Sequence, residues 1–106
     1  MQDSMIEISV KVNLSSLISQ IGMNAITKKK IEINLYLGNT VRDLLIKLND
    51  KLGDPFQKNV FDSETSSLIQ NTIVFINGKA LQTLNGLDTV LAQGDVVMIG
   101  RAYTSG

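Results

Sequence analysis

Gly106 is the residue on which chemistry would turn. It ends the stretch Gly94-Asp95-Val96-Val97-Met98-Ile99-Gly100-Arg101-Ala102-Tyr103-Thr104-Ser105-Gly106, in which a Gly-Asp turn and four apolar residues read as a buried strand. Residues beyond Gly100 leave the core with nothing after them to pack against, so 101–106 is expected to be a flexible tail. Lacking a Cβ, Gly106 lets its carboxylate pass a channel that a larger residue would block, and the carboxyl group is itself open to activation. On these residues alone, a frayed end whose last glycine has no role explains the stretch as well.

Other chemistry finds few carriers. The 106 residues include no Cys and no His, which removes a disulfide framework, a thiol nucleophile, thiolate metal ligands and the usual general base. No bound cofactor and no metal site are expected. Asp62 and Glu64 on a loop, and Asp88 and Asp95 at turns, fit capping and solubility as well as acid/base work. Gly78-Lys79 belongs to a hairpin rather than to a phosphate loop. The Phe residues and the Met residues read as core and filling, and Tyr36 and Tyr103 are too sparse to stack bases. Ten basic and ten acidic residues balance, so neither nucleic acid nor a membrane surface is expected as a partner. Lys28-Lys29-Lys30 reads as a solvated loop, with a part in a docking surface as the alternative. No apolar run reaches membrane-spanning length and Met1–Met5 lacks the features of a secretory signal, which points to the cytoplasm.

The elements that must position the tail follow from periodicity. Ile6, Ile8, Val10, Val12 and Leu14 alternate with polar residues, as do Ile31, Ile33, Leu35 and Leu37, giving two strands with one wet face each. A short helical turn is plausible over Ser15–Gly22. Thr40 as N-cap, Asp43 at the third position and the stripe Val41, Leu44, Leu45, Leu48, Leu52 predict a helix that Gly53 stops in the left-handed conformation and Asp54-Pro55 keeps from resuming. Gly53–Asn71 reads as a long connection pinned by Phe56, Val60, Phe61, Leu68 and Ile69, with room for a helical turn. Ile73-Val74-Phe75-Ile76 reads as a strand buried on both faces, and Asn77-Gly78 as a hairpin turn back into a strand near Ala80–Thr83. Asn85-Gly86 makes another turn, Leu87–Leu91 a short crossing, and Gly94-Asp95 leads into the final strand. The expected fold is α+β: a mixed four- to five-stranded sheet with one main helix across it, the last strand parallel to the first, which is the β-grasp arrangement. Residues 1–4 are expected to be disordered, 5–100 to form the domain and 101–106 the tail.

Thr40-Val41-Arg42-Asp43-Leu44-Leu45, Val74-Phe75-Ile76-Asn77-Gly78-Lys79, and Leu84-Asn85-Gly86-Leu87-Asp88-Thr89-Val90-Leu91 before Gly94-Asp95 resemble the MoaD/ThiS-like, ubiquitin-fold sulfur-carrier family, in particular its molybdopterin synthase small subunits. The resemblance covers roughly Met5–Gly106 and puts Gly106 at the family's terminal glycine. It departs at Ser105, where the family has a penultimate glycine, and at Arg101-Ala102, where Pro-Pro is common. It implies a non-catalytic carrier: an adenylating enzyme of the ubiquitin-activating type uses ATP to convert the Gly106 carboxylate to an acyl-adenylate, and a sulfur donor yields the thiocarboxylate. Arg101, Ala102, Tyr103, Thr104 and Ser105 would then enter the active site of a partner such as the molybdopterin synthase large subunit. Within the last strand, the exposed members of Val96, Val97, Met98 and Ile99 are candidates for partner docking, Val97 and Ile99 being the pair put forward, with no register in the sequence to say which face is outward. The alternatives are a protein modifier conjugated through Gly106 and a ubiquitin-like interaction domain that is never activated.

Overall fold

The computed structural model describes residues 6–15, 17 and 29–102. Of the helical turn expected over Ser15–Gly22, only Ser15 and Leu17 are described, both helical; the rest of that segment, residues 1–5 and residues 103–106 lie outside the described residues.

Alternation produces the first pair. β1 (Glu7–Asn13) and β2 (Lys30–Tyr36) run antiparallel with Val10 opposite Ile33. Their inward residues Ile8, Val10, Val12, Ile33 and Leu35 are buried while Glu7, Lys11, Glu32 and Asn34 are exposed or partly so. Leu37, expected on the apolar face, lies instead in the turn after β2 and is 55% exposed. The helix α1 spans Val41–Leu52 and buries Val41, Leu44, Leu45 and Leu48.

A capping box starts α1. Asp43 Oδ2 accepts from the Thr40 backbone N at 2.9 Å while Asp43 N donates to Thr40 Oγ1 at 3.4 Å, satisfying two donors that the first turn leaves open. Thr40→Ala is expected to lower stability by about 1 kcal/mol, read as a shift in the thermal or denaturant midpoint. Gly53 closes α1 by donating to Asn49 O at 2.9 Å. Its φ of 80° and ψ of −157° lie in a region open essentially to glycine alone, not in the left-handed helical basin expected for it. Asp54-Pro55 does not end helical structure either. It begins a second, six-residue helix, α2 (Asp54–Asn59), because proline in a first turn sacrifices only an N–H that has no helical partner.

The rest of the long connection is structured. Phe56, Val60 and Phe61 are fully buried, and β3 (Phe61–Asp62) pairs with β4 (Ser67–Leu68) as a small separate hairpin. Asp62 Oδ1 accepts from Glu64 N and from Gln57 Nε2, both at 2.9 Å, so this carboxylate shapes the turn. β5 (Thr72–Ile76) turns through Asn77 and Gly78, at φ 51° and 85°, into β6 (Lys79–Ala80). Two successive positive φ values are what a tight hairpin turn demands. The expected strand at Ala80–Thr83 is shorter, since Leu81–Thr83 is a 3₁₀ turn, as is Gly86–Asp88 in the crossing.

β7 (Val96–Arg101) completes a five-stranded mixed sheet in the order β2-β1-β7-β5-β6. It is parallel to β1 and antiparallel to β5, the ubiquitin-like β-grasp topology. The core lies between one face of this sheet and α1, and no polar side chain among the described residues is buried.

Candidate partner face and root of the tail

The start of β7 is fixed by side chains from other turns. Asn77 Oδ1 accepts from Val96 N and Asn77 Nδ2 donates to Asp95 Oδ1, both at 2.9 Å. Asp95 Oδ2 accepts from Ala92 N at 2.8 Å, and Asp95 O accepts from Lys11 N at 2.9 Å. Asp95 is thus a structural turn carboxylate. Asp88 has a similar place: it pairs with Arg42, whose Nε donates to Ser66 Oγ at 2.9 Å. Among the described residues no group of three or more Asp or Glu is placed to hold a metal ion.

Register decides which residues of β7 face outward. Val97 and Ile99 are 0% exposed, whereas Val96 is 45% and Met98 39% exposed. The assignment of Val97 and Ile99 to docking is therefore corrected. A period of two sends them into the core beneath α1 and turns Val96 and Met98 to the open face. Met98 lies beside Asn13 of β1 and Phe75 of β5, and Gly100 beside Ile73. Phe75 and Ile73 are only half-buried. The run 73–76 is apolar throughout for a different reason from the expected two-sided burial: Val74 and Ile76 serve the core, and Ile73 and Phe75 join Met98 and Val96 in an apolar strip on the open face. Beside it, Lys11, Val12, Asn13, Lys30, Ile31, Glu32 and Val96 line a depression of about 390 Å³.

The strand also does not stop at Gly100. Arg101 pairs with Thr72 and its guanidinium donates to Asn59 O at 2.7 Å. Ala102 N donates to Asn71 O at 2.7 Å. Arg101 and Ala102, expected within the free tail, are instead held to the sheet and to the end of α2, because their backbone continues the β5–β7 ladder by one step. Sequence reasoning missed Asn59 and Asn71 because each acts through a backbone carbonyl; the one visible signal is Asn71 itself, whose φ of 70° asparagine tolerates better than most residues. Tyr103, Thr104, Ser105 and Gly106 lie outside the described residues. No helix of the described residues is long and apolar enough to cross a membrane.

No protein-family model matches the sequence, and a search of curated proteins finds no relative. Solved structures do match. Small archaeal modifier protein 1 from Methanosarcina acetivorans is 28% identical at a TM-score of 0.68, covering 94% of this chain and 98% of that one. The HVO 2177 protein of Haloferax volcanii is 20% identical at a TM-score of 0.72, covering 100% and 93%. A putative molybdopterin converting factor subunit 1 from Pyrococcus furiosus is 24% identical at 0.65, covering 91% and 99%. With the last strand beside and parallel to the first, one main helix across the sheet and these matches over nearly their whole lengths, the chain is a ubiquitin-like β-grasp protein, similar in fold to small archaeal modifier protein 1 and to a putative molybdopterin converting factor subunit 1.

Proposed function

We propose that this protein is a sulfur carrier whose Gly106 carboxylate is adenylated and then thiocarboxylated, and that it serves as the small subunit of a molybdopterin synthase. The observation that supports this best is the course of β7. The central strand of the sheet delivers the chain to Ala102 at the sheet's end, anchored by Arg101 and the Asn71 carbonyl, with four residues remaining to Gly106. Extended, those four reach no more than about 14 Å. A partner's active site would come that close to Ala102, and the apolar strip of the open face, which reaches Gly100 through Ile73, is the surface we assign to docking while the tail enters.

The chemistry is supplied by others. The Gly106 carboxylate attacks the α-phosphorus of ATP on an adenylating enzyme of the ubiquitin-activating type and pyrophosphate leaves. Sulfide (HS⁻), as the sulfur donor, then attacks the acyl carbon through its sulfur, AMP leaves and the proton is lost to solvent, so one C–O bond is exchanged for C–S and the thiocarboxylate results. Without His or Cys, this chain has no usual base or nucleophile of its own for either step. Its residues hold the carboxylate at the end of a short arm and present the Val96–Met98 strip. Incubation with ATP, such an enzyme and a sulfur donor should raise the intact mass by one sulfur-for-oxygen exchange. An unchanged mass with a demonstrably active enzyme contradicts the proposal.

A second reading, a modifier joined to target lysines through Gly106, is favoured by the 28% identity to a small archaeal modifier protein. It shares the adenylation step and is distinguished by isopeptide-linked products. In both readings the open face docks, so Met98→Asp, on an exposed position, should leave folding intact and weaken partner binding at least about tenfold, or about 1.4 kcal/mol. Titration calorimetry against the adenylating enzyme measures this; unchanged affinity would place docking elsewhere.

A further inference from the structure

The main sheet has two edges. β6 is two residues long, whereas β2 presents seven with one side unpaired by any described strand. The parity of the β1–β2 ladder is set at its ends, where Leu37 N donates to Ile6 O and Leu14 N to Lys29 O. Residues 31, 33 and 35 therefore turn their backbone groups towards β1, and residues 30, 32, 34 and 36 turn theirs outward.

Part of that outward row is occupied. Tyr36 N donates to Asn39 Oδ1 and Tyr36 O accepts from Asn39 N, both at 2.9 Å, and Lys47 Nζ donates to Asn34 O. Among the described residues nothing bonds to the outward N–H and C=O of Lys30 and Glu32. Beside this edge an open groove of about 370 Å³ runs along α1, lined by Glu32, Ile33, Asn34, Lys47, Asp50 and Lys51.

We propose that this edge pairs with the same edge of a second copy of the chain, antiparallel and centred on Ile31. That register uses the open groups and no occupied one. Lys30 of each copy lies against Glu32 of the other, and each such pair exchanges two backbone hydrogen bonds, four in all. The same register sets opposite charges face to face twice, on side chains that are exposed. Ile31 meets its counterpart between them on the core side. The neighbouring registers fail on visible grounds. Centring on Ile33 opposes Glu32 to Asn34, whose carbonyl Lys47 already holds. Centring on Glu32 sets two carboxylates against each other and needs the same carbonyl. Lys47 thus shortens the open edge and selects the register. β7 lies two strands in from this edge, so pairing leaves the tail root and the apolar strip uncovered and does not depend on the carrier function.

Sedimentation equilibrium of the full chain over a wide concentration range should show a monomer–dimer equilibrium. Lys30→Glu should raise its dissociation constant at least about tenfold, because it sets a carboxylate against Glu32 of the other copy twice, and adding Glu32→Lys should restore most of that loss. Lys30→Glu is the cleaner single change, because residue 30 faces Asn13 within its own chain whereas residue 32 faces Lys11; a thermal melt confirms folding. The chain has no cysteine, so Ile31→Cys should form a disulfide-linked dimer under mild oxidation, its two Cα atoms lying about 4.5 Å apart, and Asn34→Cys should not. A monomer at every concentration, an unaltered Lys30→Glu dimer, or equal cross-linking at both positions overturns the proposal; the first outcome leaves the edge to an extended segment of another protein.

Discussion

Removing Gly106 is expected to abolish activation outright while leaving the unfolding midpoint unchanged. Activation acts on one carboxylate, and a chain ending at Ser105 presents it one residue short. At about 3.3–3.6 Å per residue, that loss displaces the carboxyl carbon by several times the misplacement of about 1 Å that can already cost a reaction about a hundredfold. The expected unchanged midpoint rests on the described residues. Among the described residues the last hydrophobic core side chain is that of Ile99, and the last ties to the sheet are those of Arg101 and Ala102. Ser105→Gly is expected to keep or raise the activation rate, because serine's Cβ narrows passage through a channel and disfavours positive φ. Adenylate-dependent pyrophosphate release, set beside a thermal melt, checks both variants. Full activity after the Gly106 deletion would mean that the domain works through its surface alone.

The largest effect on stability is expected in α1. Leu48→Ala should cost about 2–5 kcal/mol, the sum of lost apolar transfer and the cavity left behind. Leu48 is fully buried with Leu44, Leu45, Phe56 and Phe61, and α1 is the one long helix covering the sheet among the described residues. Denaturant unfolding measures the loss. A change below about 1 kcal/mol would show that α1 or its neighbours repack to fill the space. The contrast with Thr40→Ala, about 1 kcal/mol, states which holds the fold: the stripe more than the cap.

What could be read from the sequence and what could not divide along physical lines. α1 was legible to the residue because three independent signals agree on it: a cap, a stripe and a stop. The alternation in β1 and β2 and the Asn77-Gly78 turn are equally local. The facing of β7 was not legible, since Val96-Val97-Met98-Ile99 is apolar throughout and carries no alternation; only the partners Val12 and Phe75 reveal which pair is buried. The same uniformity made 73–76 look buried on both faces when one face is open. The root of the tail depends on two backbone carbonyls, of Asn59 and Asn71, and backbone acceptors leave no mark in a sequence. Asp54-Pro55 looked like an end to helical structure because proline forbids continuing a helix and suits beginning one.

The most direct test of the carrier account is the intact mass of the chain recovered from its native cell under conditions that preserve thioacids. A population heavier by one sulfur-for-oxygen exchange is expected, with fragmentation locating the change at Gly106. Recovery of the chain only as the unmodified carboxylate, or only in isopeptide linkage to lysines of other proteins, would contradict it.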